Sequence, residues 1–435
     1  MFIDFPEVSG VISLSAETIK LPEVRRVRQL FCNDSIENIE SHLEERLRRQ
    51  LAGGPSLRGR RICITAGSRG IPHFPLILRT VCRCLKELGA EPFIIPAMGS
   101  HGGATAEGQK QILTDYGITE EAMGAPVCSS MEVVQYGTLP DRTPLYCDRL
   151  AAQADGIVLM NKVKPHTDFR GPHESGLAKM IAIGIAKHKG ATAFHAIGFS
   201  NFAEMIPAAA EIFLKTFPVV CGIGIVQNAY DEISELEVAG SDGLMDLDRR
   251  LLEHARASMA RFKFKETDVL VIDEIGKEIS GYGQDPNVTG RANGRAPGFS
   301  EIFKADRVFI RGLTAGTHHN GVGLAEADVT TRSCLRQVDF GPTWTNLITS
   351  GVIEGCKIPM YADNDLEALK LTIACCRNRN PETLRLVRIR NTMALHEIEV
   401  SRGLYEAIRN DPEIEPVSDY YTLLFDKEGN LTDRI

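Results

Sequence analysis

Four of the chain's eleven histidines, His166, His173, His188 and His195, fall within residues 163–195, beside Asp168, Arg170, Glu174, Lys179, Lys187 and Lys189. Imidazole is the side chain whose ordinary pKa lies near neutrality, so a pair of histidines can take a proton from a substrate and return it. Lys179 precedes a largely apolar run. Burial there would lower its pKa and make it a nucleophile or a point of covalent attachment. The plainer alternatives are a lysine that snorkels to the surface and, for His195, a satisfied buried histidine. Lys187, His188 and Lys189 read as a solvated turn.

Two earlier turns carry related chemistry. Arg69 sits in Gly67-Ser68-Arg69-Gly70, where its planar fork of donors suits a carboxylate or phosphate. His101 lies in Gly99-Ser100-His101-Gly102-Gly103, where glycines let backbone approach a ligand closely. Pro165 stiffens the approach to His166, and Asp168 either orients that ring or caps the local turn. In the second half, Asp285, Asn287, Thr289 and Arg291 form a polar cluster around Gly281 and Gly283, and His318 and His319 share another glycine-rich loop. Trp344, the only tryptophan, reads as a packing residue or as a wall of a substrate site.

These turns need a frame. Residues 62–65, 91–96 and 156–161 are short apolar runs, the first two each followed by a glycine-rich turn and a helical pattern at 75–88 and 107–117. Such alternation predicts a parallel sheet, whose ligands sit beyond the carboxyl ends of the strands. Arg69, His101 and His166 would all lie at that edge. Helical periodicity is expected over 175–189 and over 244–262, the latter as a linker. A helix beginning near 36 would take Asp34 or Ser35 as its cap. A second strand-rich region starts at 267.

The 435-residue length exceeds the roughly 250–300 residues at which one core stops growing, so two domains are expected. They are residues 1–260, a catalytic and cofactor-binding domain, and 261–395, a second α/β domain. Residues 396–435 either close that second domain or pack back on the first. The expected fold is two α/β domains with mainly parallel, Rossmann-like sheets and a cleft between them. A net charge of −8 disfavours non-specific nucleic-acid binding. The eleven cysteines form no paired Cys-x-x-Cys units, which argues against a structural zinc site. No signal peptide or long apolar span stands out, and a cytoplasmic protein without membrane contact is expected.

The ordered set of motifs resembles the lactate racemase family, whose members use a nickel-pincer nucleotide, a pyridinium thioamide/thiocarboxylate mononucleotide holding Ni. Gly67-Ser68-Arg69 followed by Pro72 is similar to the family's substrate-binding arginine turn, with Ala66 where lactate racemase has an aspartate. Gly99-x-His101 with Thr105 and Glu107, and then residues 163–166, resemble its two catalytic histidine motifs. Lys179 resembles the lysine that carries the cofactor, and His195 the nickel ligand. The spacing from His166 to Lys179 is three residues longer than in lactate racemase, so an insertion falls at 172–174. The loop GYGQDPNVTGR resembles one in a divergent branch.

The resemblance implies an isomerase, a racemase or epimerase acting at C2 of a 2-hydroxy acid. One histidine takes the hydroxyl proton while hydride moves to the pincer's pyridinium carbon, and the resulting 2-keto acid is reduced on its other face. His101 and His166 would be the proton-transfer pair. Arg69, Ser68 and Trp344 would bind substrate; Lys179, Gly99, Ser100 and Asp168 the cofactor; His195 nickel. The altered Ala66, the insertion and the polar second-domain loops point to a sugar acid as substrate. Implied partners are the proteins that make the cofactor, with a homo-oligomer as an option. The rivals are a zinc- or magnesium-dependent hydro-lyase or hydrolase using the same histidines, and a non-catalytic binder of an acidic metabolite.

Overall fold

A computed structural model describes residues 1–9, 16–68, 70–196, 198–292, 296–433 and 435, and the backbone only of Thr349 and Cys356. Residues 32–259 form one compact unit; Met1–Phe31 and Ala260–Ile435 together form another. The first strand, β1 (Val24–Gln29), belongs to the second of these. That corrects the expectation that the chain's first residues join the N-terminal domain. Alternation of apolar and polar residues marks a strand but does not say which sheet it joins.

The Cys32–Met259 unit contains β2 (Arg61–Ala66), β3 (Glu91–Pro96), an antiparallel ribbon of β4 (Val133–Thr138) and β5 (Pro144–Asp148), then β6 (Gly156–Lys162), β7 (Val219–Gln227) and β8 (Ile233–Ala239). Its main sheet runs β3-β2-β6-β7-β8. The first four are parallel and β8 is an antiparallel edge. In β2, residues 62–66 are buried without alternation, as are the first five of β6, because helices cover both faces of the sheet. Helix Phe74–Glu87 starts with proline in its first turn, where a missing N–H costs nothing. Helix Ile39–Leu51 is capped by Asn38, which accepts from Ser41 N at 3.0 Å, and not by Asp34 or Ser35. The chain before it is held in a backbone bond from Ile36 N to Ile233 O (2.8 Å), so the helix begins later than its periodicity suggests.

The other unit carries β9 (Glu266–Ile272), β10 (Lys304–Ile310), β11 (Val329–Thr331), β12 (Met360–Ala362), β13 (Leu386–Ile389), β14 (Glu397–Ser401) and β15 (Ile414–Pro416). Its sheet runs β12-β11-β10-β9-β13-β14-β1-β15. The strands from β12 to β13 are parallel, whereas β14, β1 and β15 are antiparallel. Residues 396–435 therefore close this unit's own sheet. Both units are α/β with mostly parallel sheets. No described helix is long and apolar enough to cross a membrane.

The polar loop of this second unit is held in large part by its own side chains. Asp285 Oδ1 accepts from Asn287 N at 2.9 Å and starts the short helix Pro286–Thr289. Thr289 Oγ1 donates to Gln284 Oε1 (2.5 Å), and Arg291 pairs with Asp328 at 2.8 Å. These side chains hold the loop's shape, which weakens their reading as substrate contacts. His318 and His319 are exposed and both have positive φ, 49° and 65°. Trp344 lies in this unit on helix Phe340–Ser350, 38% exposed and packed on Phe340.

Candidate functional site

At the carboxyl edge of the sheet in the Cys32–Met259 unit, three chain segments leave their strands side by side. After β2 come Gly67 and Ser68; Arg69 lies outside the described residues. After β3 the turn through Gly99 and the exposed Ser100 presents His101. Ser68 Oγ meets His101 Nδ1 at 2.5 Å, and Tyr116 OH donates to Ser68 O at 2.8 Å. With Nδ1 engaged by the hydroxyl, proton exchange at His101 falls to Nε2.

After β6 the chain passes through Lys164-Pro165 to His166, which is 8% exposed. The N–H of Asp168 donates to His166 Nδ1 at 3.0 Å. A backbone amide can only donate, so a neutral ring carries its proton on Nε2. That nitrogen faces Lys179 Nζ at 2.5 Å. Asp168 Oδ2 lies 3.6 Å from Nδ1. The Asp168 backbone thus orients the His166 ring.

The insertion at 172–174 braces this arrangement. Glu174 is 1% exposed and accepts the N–H of His166 (2.6 Å) and of Gly171 (3.1 Å), and it pairs with Arg256 at 2.5 Å. His173 Nδ1 meets Asp248 Oδ2 at 2.9 Å, and the same carboxylate accepts the Leu177 N–H at 2.5 Å. Asp248 and Arg256 both project from helix Leu244–Ser258, two turns apart, so one helix secures the His166 loop and the start of the Lys179 helix. Gly176 makes the approach possible, because a Cβ there would lie 2.1 Å from Asp248 Oδ1.

The helix expected over 175–189 is broken. A helical turn at Leu177–Lys179 gives way to a π-helical segment, Met180–Gly184, and a new helix runs Lys187–His195. Gly184 packs against backbone, since a Cβ there would sit 2.8 Å from Ala97 O. Lys187, at φ 56°, turns the chain back. It is fully buried, which corrects its reading as part of a solvated turn. The reversal brings His195 near Lys179: Phe199 lies 5.9 Å from the His166 ring and 5.5 Å from the His195 ring, centroid to centroid. His195 also packs against Phe202.

Burial, with the neighbouring Lys179 charge second, lowers the His195 imidazole to about 4. It is therefore neutral at physiological pH, and its buried Nδ1 has no hydrogen-bond partner. A neutral, unpartnered imidazole nitrogen is the form that ligates a transition metal such as zinc, copper, iron or nickel. Among the described residues no three His, Cys, Asp or Glu side chains gather as a bare metal ion would require. His195 Nδ1 could serve as a single protein ligand to a metal.

The Cys32–Met259 unit is thus an α/β unit with a paired-histidine, lysine-bearing site at its strand ends. Residues 34–205 match the family described as the lactate racemase N-terminal domain. A structural-genomics protein from Thermotoga maritima aligns with 15% identity over 77% of this chain and 89% of its own, at a TM-score of 0.52, a likeness of fold. The lactate racemase apoprotein from Thermoanaerobacterium thermosaccharolyticum aligns with 15% identity over 90% of this chain and 96% of its own, at a TM-score of 0.48. No curated protein matches the sequence.

Sequence reasoning missed Glu174, Asp248 and Arg256 as supports, together with Gln109, Asp148 and Lys187. Each is ordinary by local pattern. Burial of the charged or amide group distinguishes all but Arg256, which is marked by its pairing with buried Glu174.

Proposed function

We propose that this chain is a cytoplasmic isomerase, a racemase or epimerase inverting C2 of a 2-hydroxy acid with a nickel-pincer nucleotide. The observation that carries the reading is the contact of His166 with Lys179 beside the unpartnered His195 nitrogen. Lys179 would hold the cofactor covalently and His195 would ligate its nickel, with Gly99, Ser100 and Asp168 near it. When bound, the group supplies a reversible hydride acceptor.

The chain's own residues supply the rest. His101 and His166 exchange the substrate hydroxyl proton, one for each stereoisomer. Ser68 and the Asp168 backbone N–H orient those rings. Arg69 clamps the carboxylate. Phe169, Phe199 and Phe202 line the approach to His166 and His195 with apolar rings, which keeps water from competing for the proton. Trp344 remains a proposed substrate contact, and a homo-oligomer and cofactor-making proteins remain proposed partners.

The sharper form of the proposal takes a sugar acid as substrate. Its support is Ala66, which is fully buried at the end of β2 and offers no acidic group to the site. Purified enzyme from a host that makes the cofactor is incubated with single stereoisomers of lactate and of aldonates. Conversion of an aldonate to its C2 epimer, faster than lactate scrambles, is the expected result. Rapid scrambling of lactate alone would overturn the sugar-acid choice, and no epimerisation of any 2-hydroxy acid would overturn the function. The zinc or magnesium rival needs a donor cluster of the kind described above.

A further inference from the structure

Lys187 combines two unfavourable features. Its side chain is wholly buried, and its backbone is left-handed at φ 56°. Lysines are almost never fully buried unless paired, and a non-glycine residue at positive φ persists only where its surroundings over-determine it. The surroundings here are specific. Nζ donates to Pro96 O at 2.5 Å and to Gln109 Oε1 at 3.2 Å, and pairs with Asp148 Oδ2 at 3.1 Å.

Each partner leads to a different part of the site. Gln109, itself fully buried, donates from Nε2 to Gly99 O (2.8 Å) and to His101 O (3.2 Å), the backbone of the turn that presents His101. Asp148 is fixed in place: its N–H donates to Ile185 O at 2.9 Å and its Oδ1 accepts from Leu150 N at 2.7 Å. On its own chain, Lys187 opens the helix Lys187–His195, so its left-handed turn sets the direction in which His195 returns. Gly99 N also donates to Gly184 O at 3.0 Å, which ties the turn to the π-helical segment.

We propose that Lys187 is a positioning residue that holds the His101 turn and the His195 helix in one frame, through Gln109 on one side and through its own left-handed turn against Asp148 on the other. It touches no reacting atom. The proposal goes beyond the isomerase reading and stands whether or not Lys179 carries a cofactor.

The test uses the full chain labelled at the Cε1 carbon of histidine, with the signals of His42, His101, His195 and His254 assigned by single His→Gln substitutions. Lys187→Met is expected to displace the His101 and His195 signals beyond their linewidths and to leave His42 and His254 in place. Gln109→Leu, which cuts only one arm, is expected to displace His101 alone. Lys187→Met with either site signal unmoved, or with all four moved alike, overturns the proposal. If Lys187→Met does not fold, Gln109→Leu decides: an unmoved His101, or a moved His195, overturns it. Absence of an adduct at Lys179 would defeat the proposed function and leave this result unaffected.

Discussion

Replacing Glu174 by alanine should loosen the loop that carries His166. The Glu174 carboxylate is buried and accepts the N–H groups of His166 and Gly171 besides the Arg256 guanidinium. In Glu174→Ala those two amides lose their acceptor, at about 1–3 kcal/mol each. Arg256 is a third exposed and can turn to water, so its lost pairing adds little. The sum is about 2–6 kcal/mol. For a unit the size of Cys32–Met259, roughly 2–4 °C of melting temperature follow each kcal/mol, so a fall of about 4–24 °C is expected by calorimetry. Arg256→Met should cost less, about 1–3 kcal/mol, because the buried carboxylate keeps its two amide donors and Arg170 at 3.9 Å. Glu174→Gln keeps one acceptor oxygen and should fall between wild type and alanine. A Glu174→Ala protein that melts within 1–2 °C of wild type, on the scale of ~0.5 kcal/mol, would refute the brace.

Three further outcomes follow from the geometry. Ser68→Ala removes the hydroxyl at His101 Nδ1; one hydrogen bond is worth about 1 kcal/mol, so turnover should fall several-fold with little change in melting temperature. His195→Phe removes a buried nitrogen that has no partner. The cofactor-free protein should therefore be no less stable, by calorimetry, while nickel is no longer retained after loading. Because folding lowers the His195 imidazole from its ordinary 6.5 to about 4, the unfolded chain binds the extra proton first. Wild type therefore loses stability through this group as pH falls from 6.5 toward 4, by about 3 kcal/mol at most; denaturant titrations of wild type and His195→Phe across that window should diverge, the variant becoming the more stable at low pH.

The strands, their parallel order and the turns bearing His101 and His166 were legible because buried parallel strands read as apolar runs and their turns as glycine clusters. Lys179 and His195 were legible as residues of one site, joined by a chain that turns back between them. How it turns was not. A π-helical segment and a left-handed lysine have no local signature, and a lysine between a histidine and another lysine ordinarily marks a solvated face. Lys187 is buried because Asp148, 39 residues earlier, and Gln109, 78 residues earlier, are there to receive it. The same holds for Glu174, whose partner Arg256 lies 82 residues on. Pairing over such distances overrides local pattern, and it also explains why β1 joins the sheet of the other unit.

The central claim is that Lys179 carries a nickel-binding nucleotide beside His166 and His195. Intact-mass and metal analysis of protein made in a host that synthesises the pincer cofactor tests it most directly. An adduct on the wild-type chain with bound nickel, absent from Lys179→Ala, is the expected result. A wild-type chain of unmodified mass and free of nickel, from a host in which a known pincer enzyme is loaded, would contradict it.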